Sequence, residues 1–175
     1  IGRWYSFFAA VLLTHILLDC CTSYGTQLFW PFSDARVSWS TIFIIDPMYT
    51  MPLLACVIAC LFLRRTSLLR RRINTVGLVL ITSYLLMTFQ GKAHVLENVL
   101  TTLTQQGIDA KRLLTCPTPL NTVLWYAIAE DNEGYHIGFY SLLDSSNRVQ
   151  FRYVPRRDTL LRGLAHDYGV NRLLW

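Results

Sequence analysis

Charged residues are scarce in this sequence: Asp, Glu, Lys and Arg make up 15% of the 175 residues, against a hydrophobic share of 53%. Soluble domains typically carry about 25% charged residues, so the composition argues against an ordinary soluble protein and favours one embedded in lipid. The sequence also lacks a Gly-rich phosphate loop, a G-x-S-x-G elbow and an H-E-x-x-H pair. These absences exclude the P-loop, α/β-hydrolase and zincin signatures.

The positive charge of the chain is concentrated in one short segment. The net charge is +5 at pH 7. Five arginines lie between two apolar runs, namely Arg64, Arg65, Arg70, Arg71 and Arg72. Such clusters are typical of cytoplasmic loops between transmembrane helices. A nucleic-acid-binding patch is disfavoured, because no aromatic residue is interleaved with these arginines. We therefore expect a cytoplasmic loop here and no nucleic-acid partner.

The five cysteines have no zinc-ribbon spacing and indicate no disulfide framework. Four of them lie in apolar segments, namely Cys20, Cys21, Cys56 and Cys60. A cysteine in such surroundings behaves as a small hydrophobic residue, so we interpret the cysteines as packing residues.

Three apolar stretches, residues 4–21, 47–63 and 76–89, predict about three membrane helices, since about 20 helical residues cross the hydrocarbon layer. They define a membrane-embedded helical region over residues 1–91. The loop between the first two stretches is rich in aromatic residues of the kind found at headgroup level: Tyr24, Phe29, Trp30, Phe32 and Trp39.

Residues 92–175 have the character of a small α+β domain outside the membrane. A helical pattern over 92–107 is followed by three strand-like runs, at 122–130, 135–143 and 148–154, with turn-forming residues between them. Asp158 is a candidate cap for a last helix that carries Leu160, Leu161 and Leu164 on one face. The predicted fold is therefore a mostly α membrane region followed by an α+β domain with a three-stranded antiparallel meander.

The arginine loop also predicts an orientation. If residues 64–72 face the cytoplasm, then the aromatic loop and everything after residue 89 lie on the outer side of the membrane. His15 and Asp19 then fall in the outer half of the first helix.

His15 and Asp19 are unusual in an apolar helix, and their i, i+4 spacing places both side chains on one face. An ionisable group at the bilayer centre costs about 3 kcal/mol on insertion scales, so such groups pair with one another or have a function. An imidazole and a carboxylate suit zinc or a similar divalent ion. Two ligands alone do not hold a catalytic metal, which takes about three, and simple pairing of the two side chains stays an alternative.

Two further residues are candidates for catalysis. Thr22 follows Asp19 by one turn, where it can reach a carboxylate or an activated water, although it also suits a helix end. Asp46 directly precedes Pro47, which favours an N-cap with proline at the first helical position. A functional carboxylate at Asp46 is compatible with that structural role.

The stretch "HILLDCCTSYGTQLFWPFSDARVSWSTIFIIDPMYT" resembles the core signature of the YdjM-like membrane-bound metal-dependent hydrolases. That signature has H-x-x-x-D on a helix, then T-x-x-G, an aromatic "PF" segment and an Asp-Pro that opens the next helix. The later segments "CPTPLNTVLWYAIAEDNEGYHIGFYSLLD" and "FRYVPR" resemble the part outside the membrane of one branch of the family. The helical core is similar to the zinc-dependent phospholipase C and single-strand nuclease group.

The resemblance implies a hydrolase of the bacterial inner membrane that crosses the membrane several times. His15 and Asp19 match the H-x-x-x-D pair and would be ligands of a divalent metal, with zinc expected. Family members carry further acidic and histidine-rich motifs upstream, so we expect the other ligands N-terminal to Ile1 in a longer protein. The implied substrate is a phosphoester of a lipid or envelope component, attacked by a metal-activated water with help from Thr22 or Asp46. The alternative is a non-enzymatic membrane protein whose His–Asp pair is structural and whose C-terminal domain binds a partner.

Overall fold

The computed structural model describes residues 2–156, which form a helical region followed by a small antiparallel sheet. The elements in chain order are α1 (Gly2–Cys21), α2 (Pro47–Phe62), α3 (Leu68–Gln105), β1 (Arg112–Pro117), β2 (Leu124–Glu130), β3 (Gly134–Ser141) and β4 (Gln150–Pro155).

The C-terminal end of α1 is closed by the long loop that follows it. The last carbonyl groups of a helix have no partner within the helix. Here the backbone N–H of Trp39 donates to the carbonyl of Cys20 (2.7 Å), and that of Thr41 donates to the carbonyl of Cys21 (2.8 Å). Cys20 and Cys21 are buried beneath this loop, while most of α1 is exposed. All five cysteines are free thiols.

α2 and α3 form a hairpin whose short connection carries Arg64 and Arg65, while Arg70, Arg71 and Arg72 lie in the first turns of α3. Asp46 caps α2 and Ser67 caps α3, each with a side-chain oxygen that accepts from backbone N–H groups of the first turn. The two helices approach closely at Gly77, where an added Cβ would lie 2.8 Å from Cys56 Sγ. Small residues at such positions allow the backbones of membrane helices to come together.

α3 is a single helix of 38 residues, which corresponds to about 57 Å at about 1.5 Å per residue. The predicted helices at 76–89 and 92–107 are therefore parts of one element, and it is continuous across residues 91 and 92. A glycine inside a helix costs about 1 kcal/mol relative to alanine, and Gly91 does not interrupt α3. It lies where the sheet approaches, because a Cβ there would be 3.3 Å from Leu142 Cδ1.

The sheet is a four-stranded antiparallel meander in the order β1-β2-β3-β4. Cys116 of β1 lies opposite Tyr126 of β2, which in turn lies opposite Phe139 of β3. Val149, next to β4, is buried against the second half of α3. The hydrophobic core thus lies between one face of the sheet and α3, and contains Val95, Val99, Leu103, Trp125, Ala127, Ala129 and Tyr140.

Lys92 ties three parts of the molecule together. Its ammonium group donates to the backbone carbonyls of Trp39, Ser40 (3.5 Å) and Thr115 (3.3 Å). α3 is thereby joined both to the loop after α1 and to the edge strand β1.

Two parts of the predicted fold class need correction. The sheet has four strands and not three, because residues 112–117 form a strand that the sequence pattern did not predict. Of the predicted three membrane helices, two in the described range are long and apolar enough to cross a membrane, α1 and α3. α2 has 16 residues, or about 24 Å at about 1.5 Å per residue. The predicted last helix after Asp158 lies outside the described residues.

Candidate functional site

The helix α1 places His15 and Asp19 on one face, as their spacing predicts. His15 Nε2 lies 3.5 Å from Asp19 Oδ2, and the two side chains are 70% and 48% exposed. A nitrogen and an oxygen donor therefore converge on one accessible spot. Donors of these types suit a divalent metal such as zinc.

The number of donors at this spot is smaller than a metal requires. A catalytic zinc site takes about three protein ligands, whereas residues 2–156 contain no cluster of three or more His, Cys, Asp or Glu side chains that could hold a metal. His15 and Asp19 fit a divalent metal in chemistry but not in number. Further ligands would have to come from outside the described residues.

Thr22 lies next to Asp19 at the end of α1. Its hydroxyl donates to the backbone carbonyl of Asp19 (2.8 Å), which is the helix-end role that the sequence left open. Asp19 and Thr22 both line a cavity of about 260 Å³ at this end of the helix. Gly25 turns the chain away from this end of α1. Its φ of +76° is a backbone conformation that is strained for residues that carry a side chain.

Asp46 is 1% exposed and belongs to a different network. Its Oδ1 accepts from the backbone N–H groups of Met48 (2.8 Å) and Tyr49 (3.3 Å), and its Oδ2 accepts from the Tyr84 hydroxyl (2.7 Å). The Tyr84 oxygen lies 2.9 Å from Thr122 Oγ1. This network, which we name the Asp46–Tyr84–Thr122 chain, connects the start of α2, the middle of α3 and the loop before β2.

The sequence that forms α1, its following loop and α2 matches a known protein family. Residues 1–95, more than half of the 175-residue chain, match the model of the family described as YdjM inner membrane protein. The chain belongs to this family. No curated protein and no solved structure matches the chain.

Membership of the YdjM family agrees with the two helices that are long and apolar enough to cross a membrane, Gly2–Cys21 and Leu68–Gln105. The matched residues include His15, Asp19, Thr22 and Asp46, while the sheet lies beyond them. The family description gives a membrane location and no catalytic activity. The assignment of hydrolase activity and the likeness to the phospholipase C group stay predictions.

The four predicted site residues form two separate groups. His15, Asp19 and Thr22 lie together at the end of α1. Within residues 2–156, no hydrogen bond joins Asp46 to any of them, and its oxygens bind Met48, Tyr49 and Tyr84 instead. Tyr84 and Thr122 were not expected from the sequence. The only indication was a tyrosine within the apolar run "LITSYLLMTF" of α3.

A second His–Asp pair occurs in the β2–β3 turn, outside the membrane helices. His136 Nε2 lies 2.8 Å from Asp131 Oδ2, and Asp131 Oδ1 accepts from the backbone N–H groups of Glu133 and Gly134. The hydrogen bond from His136, and those from the turn, hold the pKa of Asp131 below its ordinary value of 3.8. This carboxylate is therefore occupied in shaping the turn.

Proposed function

We propose that this protein is a membrane-bound metal-dependent hydrolase in which His15 and Asp19 supply two of the metal ligands. The observation that carries the proposal is the convergence of His15 Nε2 and Asp19 Oδ2, 3.5 Å apart, on the accessible face of an apolar helix. The expected metal is zinc. Such an ion, when bound, supplies Lewis-acid chemistry that polarises a phosphoryl or acyl oxygen and lowers the pKa of water.

The chain's own residues would then act as follows. His15 and Asp19, which both lie in the last two turns of α1, would bind and orient the metal ion. Thr22, which lines the same cavity as Asp19, is the better placed of the two predicted catalytic residues to orient a water molecule. Asp46 has its oxygens occupied by three donors, so its structural role already accounts for its burial.

The substrate class that we propose is a phosphoester of a lipid or envelope component, because the His–Asp pair lies on a helix of a membrane protein family. We further propose that the chain crosses the membrane more than once, with the arginine cluster on the cytoplasmic side and the sheet on the outer side. The cluster supports this orientation, because arginines next to membrane helices are enriched on the cytoplasmic side. Within residues 2–156, none of the five arginines forms an ion pair with a carboxylate that would neutralise its charge.

The test is the metal content of the full-length protein, purified in detergent, and of two matched variants. His15→Ala should lose bound metal, whereas His136→Ala, which removes the histidine of the other His–Asp pair, should keep it. Removing a hydrogen-bond partner of a ligand alone costs about 10–100-fold in metal affinity, so the loss for His15→Ala should exceed tenfold. Hydrolysis of a phosphodiester substrate should fall in parallel.

A specific observation favours the alternative, a non-enzymatic protein that binds a partner through its sheet. The face of the sheet that points away from α3 carries exposed apolar side chains, Leu114, Leu124, Phe139 and Val154. A metal-free native protein, together with a His15→Ala variant that unfolds, would support this alternative and contradict the hydrolase.

A further inference from the structure

An apolar cavity lies at the junction of the helices and the sheet. It has a volume of about 520 Å³ and is bounded by the first turns of α2, the middle of α3 and the loops next to β2 and β3. Ligand pockets in proteins are typically about 300–1,000 Å³. Its walls include Met48, Pro52, Leu80, Met87, Val123 and Leu142.

The lining is apolar and contains no charged side chain among the described residues. Tyr84 and Thr122 are among its lining residues, but their hydroxyl groups bond to each other (2.9 Å) and to Asp46 in the Asp46–Tyr84–Thr122 chain. A wall of this kind suits a hydrocarbon chain and disfavours a charged metabolite.

The dimension of the cavity along α3 fits one leaflet of a membrane. Lining residues on this helix run from Leu80 to Gly91, a distance of about 16 Å at about 1.5 Å per residue. The hydrocarbon core of a bilayer is about 30 Å thick. The cavity is therefore about as long as a single leaflet is deep.

The cavity is continuous with the surface that α3 exposes. Leu80 and Met87 line the cavity and are still 55% and 66% exposed. They lie on a helix that is long and apolar enough to cross a membrane. A molecule can thus enter from the hydrocarbon layer without passing through water.

From these observations we propose that the cavity binds one acyl chain of a membrane lipid. This site is separate from His15 and Asp19 and requires neither a metal nor hydrolysis. If the lipid-binding proposal fails, the proposed hydrolase activity is not contradicted. If the hydrolase proposal fails, the lipid-binding proposal is not contradicted.

The test uses the full-length protein in vesicles that contain phosphatidylglycerol with a photoreactive diazirine on its acyl chain. Illumination should label peptides from residues 80–91 of α3 and from the loops that contain Thr122 and Leu142. Leu80→Trp, which fills the cavity, should reduce this labelling about tenfold, which corresponds to about 1.4 kcal/mol. Val79→Trp is the matched control, since Val79 is the exposed neighbour that does not line the cavity, and it should label like the native protein.

A third variant separates occupancy from damage to the fold. Leu80→Ala enlarges the cavity and should keep its labelling. The proposal is overturned if Leu80→Ala loses labelling as Leu80→Trp does, or if both tryptophan variants label alike. It is also overturned if the label is spread evenly over the exposed faces of α1, α2 and α3, because that pattern indicates surrounding lipid only.

Discussion

Asp19 and Asp46 are both aspartates in apolar surroundings, yet their environments differ sharply. Asp46 is 1% exposed and accepts three hydrogen bonds, whereas Asp19 is about half exposed and its carboxylate lies 3.5 Å from His15 Nε2. A buried carboxylate without donors is strongly destabilising, so the fold itself requires the partners of Asp46. Within residues 2–156, the Asp19 carboxylate caps no helix and holds no buried side chain in place, so its oxygens are available to bind a ligand.

Replacing Asp46 by alanine should destabilise the protein by about 1–3 kcal/mol, because a helix cap and the partner of a half-buried tyrosine are lost together. Asp34→Ala is the control, since Asp34 lies exposed in the preceding loop, and a surface substitution should change stability by less than about 0.5 kcal/mol. The measurement is the thermal unfolding midpoint in detergent. Equal shifts for both variants would contradict the role assigned to Asp46.

The local part of the candidate site was predictable from sequence and the non-local part was not. An i, i+4 spacing fixes the meeting of His15 and Asp19 wherever a helix forms, and Asp-Pro predicts the cap of α2. Tyr84 is 38 positions from Asp46, to which it donates, and Thr122 is 38 positions from Tyr84, to which it is hydrogen-bonded. Such contacts depend on how the helices and the sheet pack, which no local pattern encodes.

Among the elements, the membrane helices were easier to predict than the sheet. Long apolar runs determine α1 and α2 nearly to the residue, but the change in composition near Gly91 suggested two helices where α3 is one. β1 was missed because it is short and ends in Pro117. Its position at the edge of the sheet explains why a proline is tolerated there.

The contact between α2 and α3 predicts a steric requirement at Gly77. Gly77→Val should destabilise the hairpin by about 1–3 kcal/mol, the usual cost of overpacking, because even a Cβ would lie 2.8 Å from Cys56 Sγ. Adding Cys56→Ala should restore part of the loss. Leu78→Val introduces the same side chain at an exposed neighbouring position and should have little effect. Thermal unfolding in detergent measures all three, and a Gly77→Val variant as stable as Leu78→Val would refute the close contact.

At the scale of the whole molecule, the arginine cluster and the sheet lie at opposite ends of α3. The cluster flanks the start of the helix at Leu68, and the sheet packs on residues near its end, including Val95, Val99 and Leu103. A helix of about 57 Å at about 1.5 Å per residue is longer than the about 30 Å hydrocarbon core. The helix is therefore long enough for its two ends to lie on opposite sides of a bilayer, as the proposed topology requires.

Cysteine labelling of intact cells tests this orientation. Leu143→Cys, in the exposed turn after β3, should react with a maleimide that does not cross membranes, whereas Thr66→Cys, beside the arginines, should react only after the cells are opened. The native protein gives the background from its own five thiols. The reverse pattern would place the sheet in the cytoplasm and contradict the proposed topology.

The unbroken course of α3 also determines how the sheet is held. Because α3, which is long and apolar enough to cross a membrane, also contributes Val95, Val99 and Leu103 to the core of the sheet, no flexible linker separates the apolar part of the helix from the sheet. Lys92 adds a further hydrogen bond between α3 and β1, so in the proposed topology the helix would set the distance between the sheet and the bilayer surface. A molecule recognised by that sheet would be held at a constant distance from the lipid.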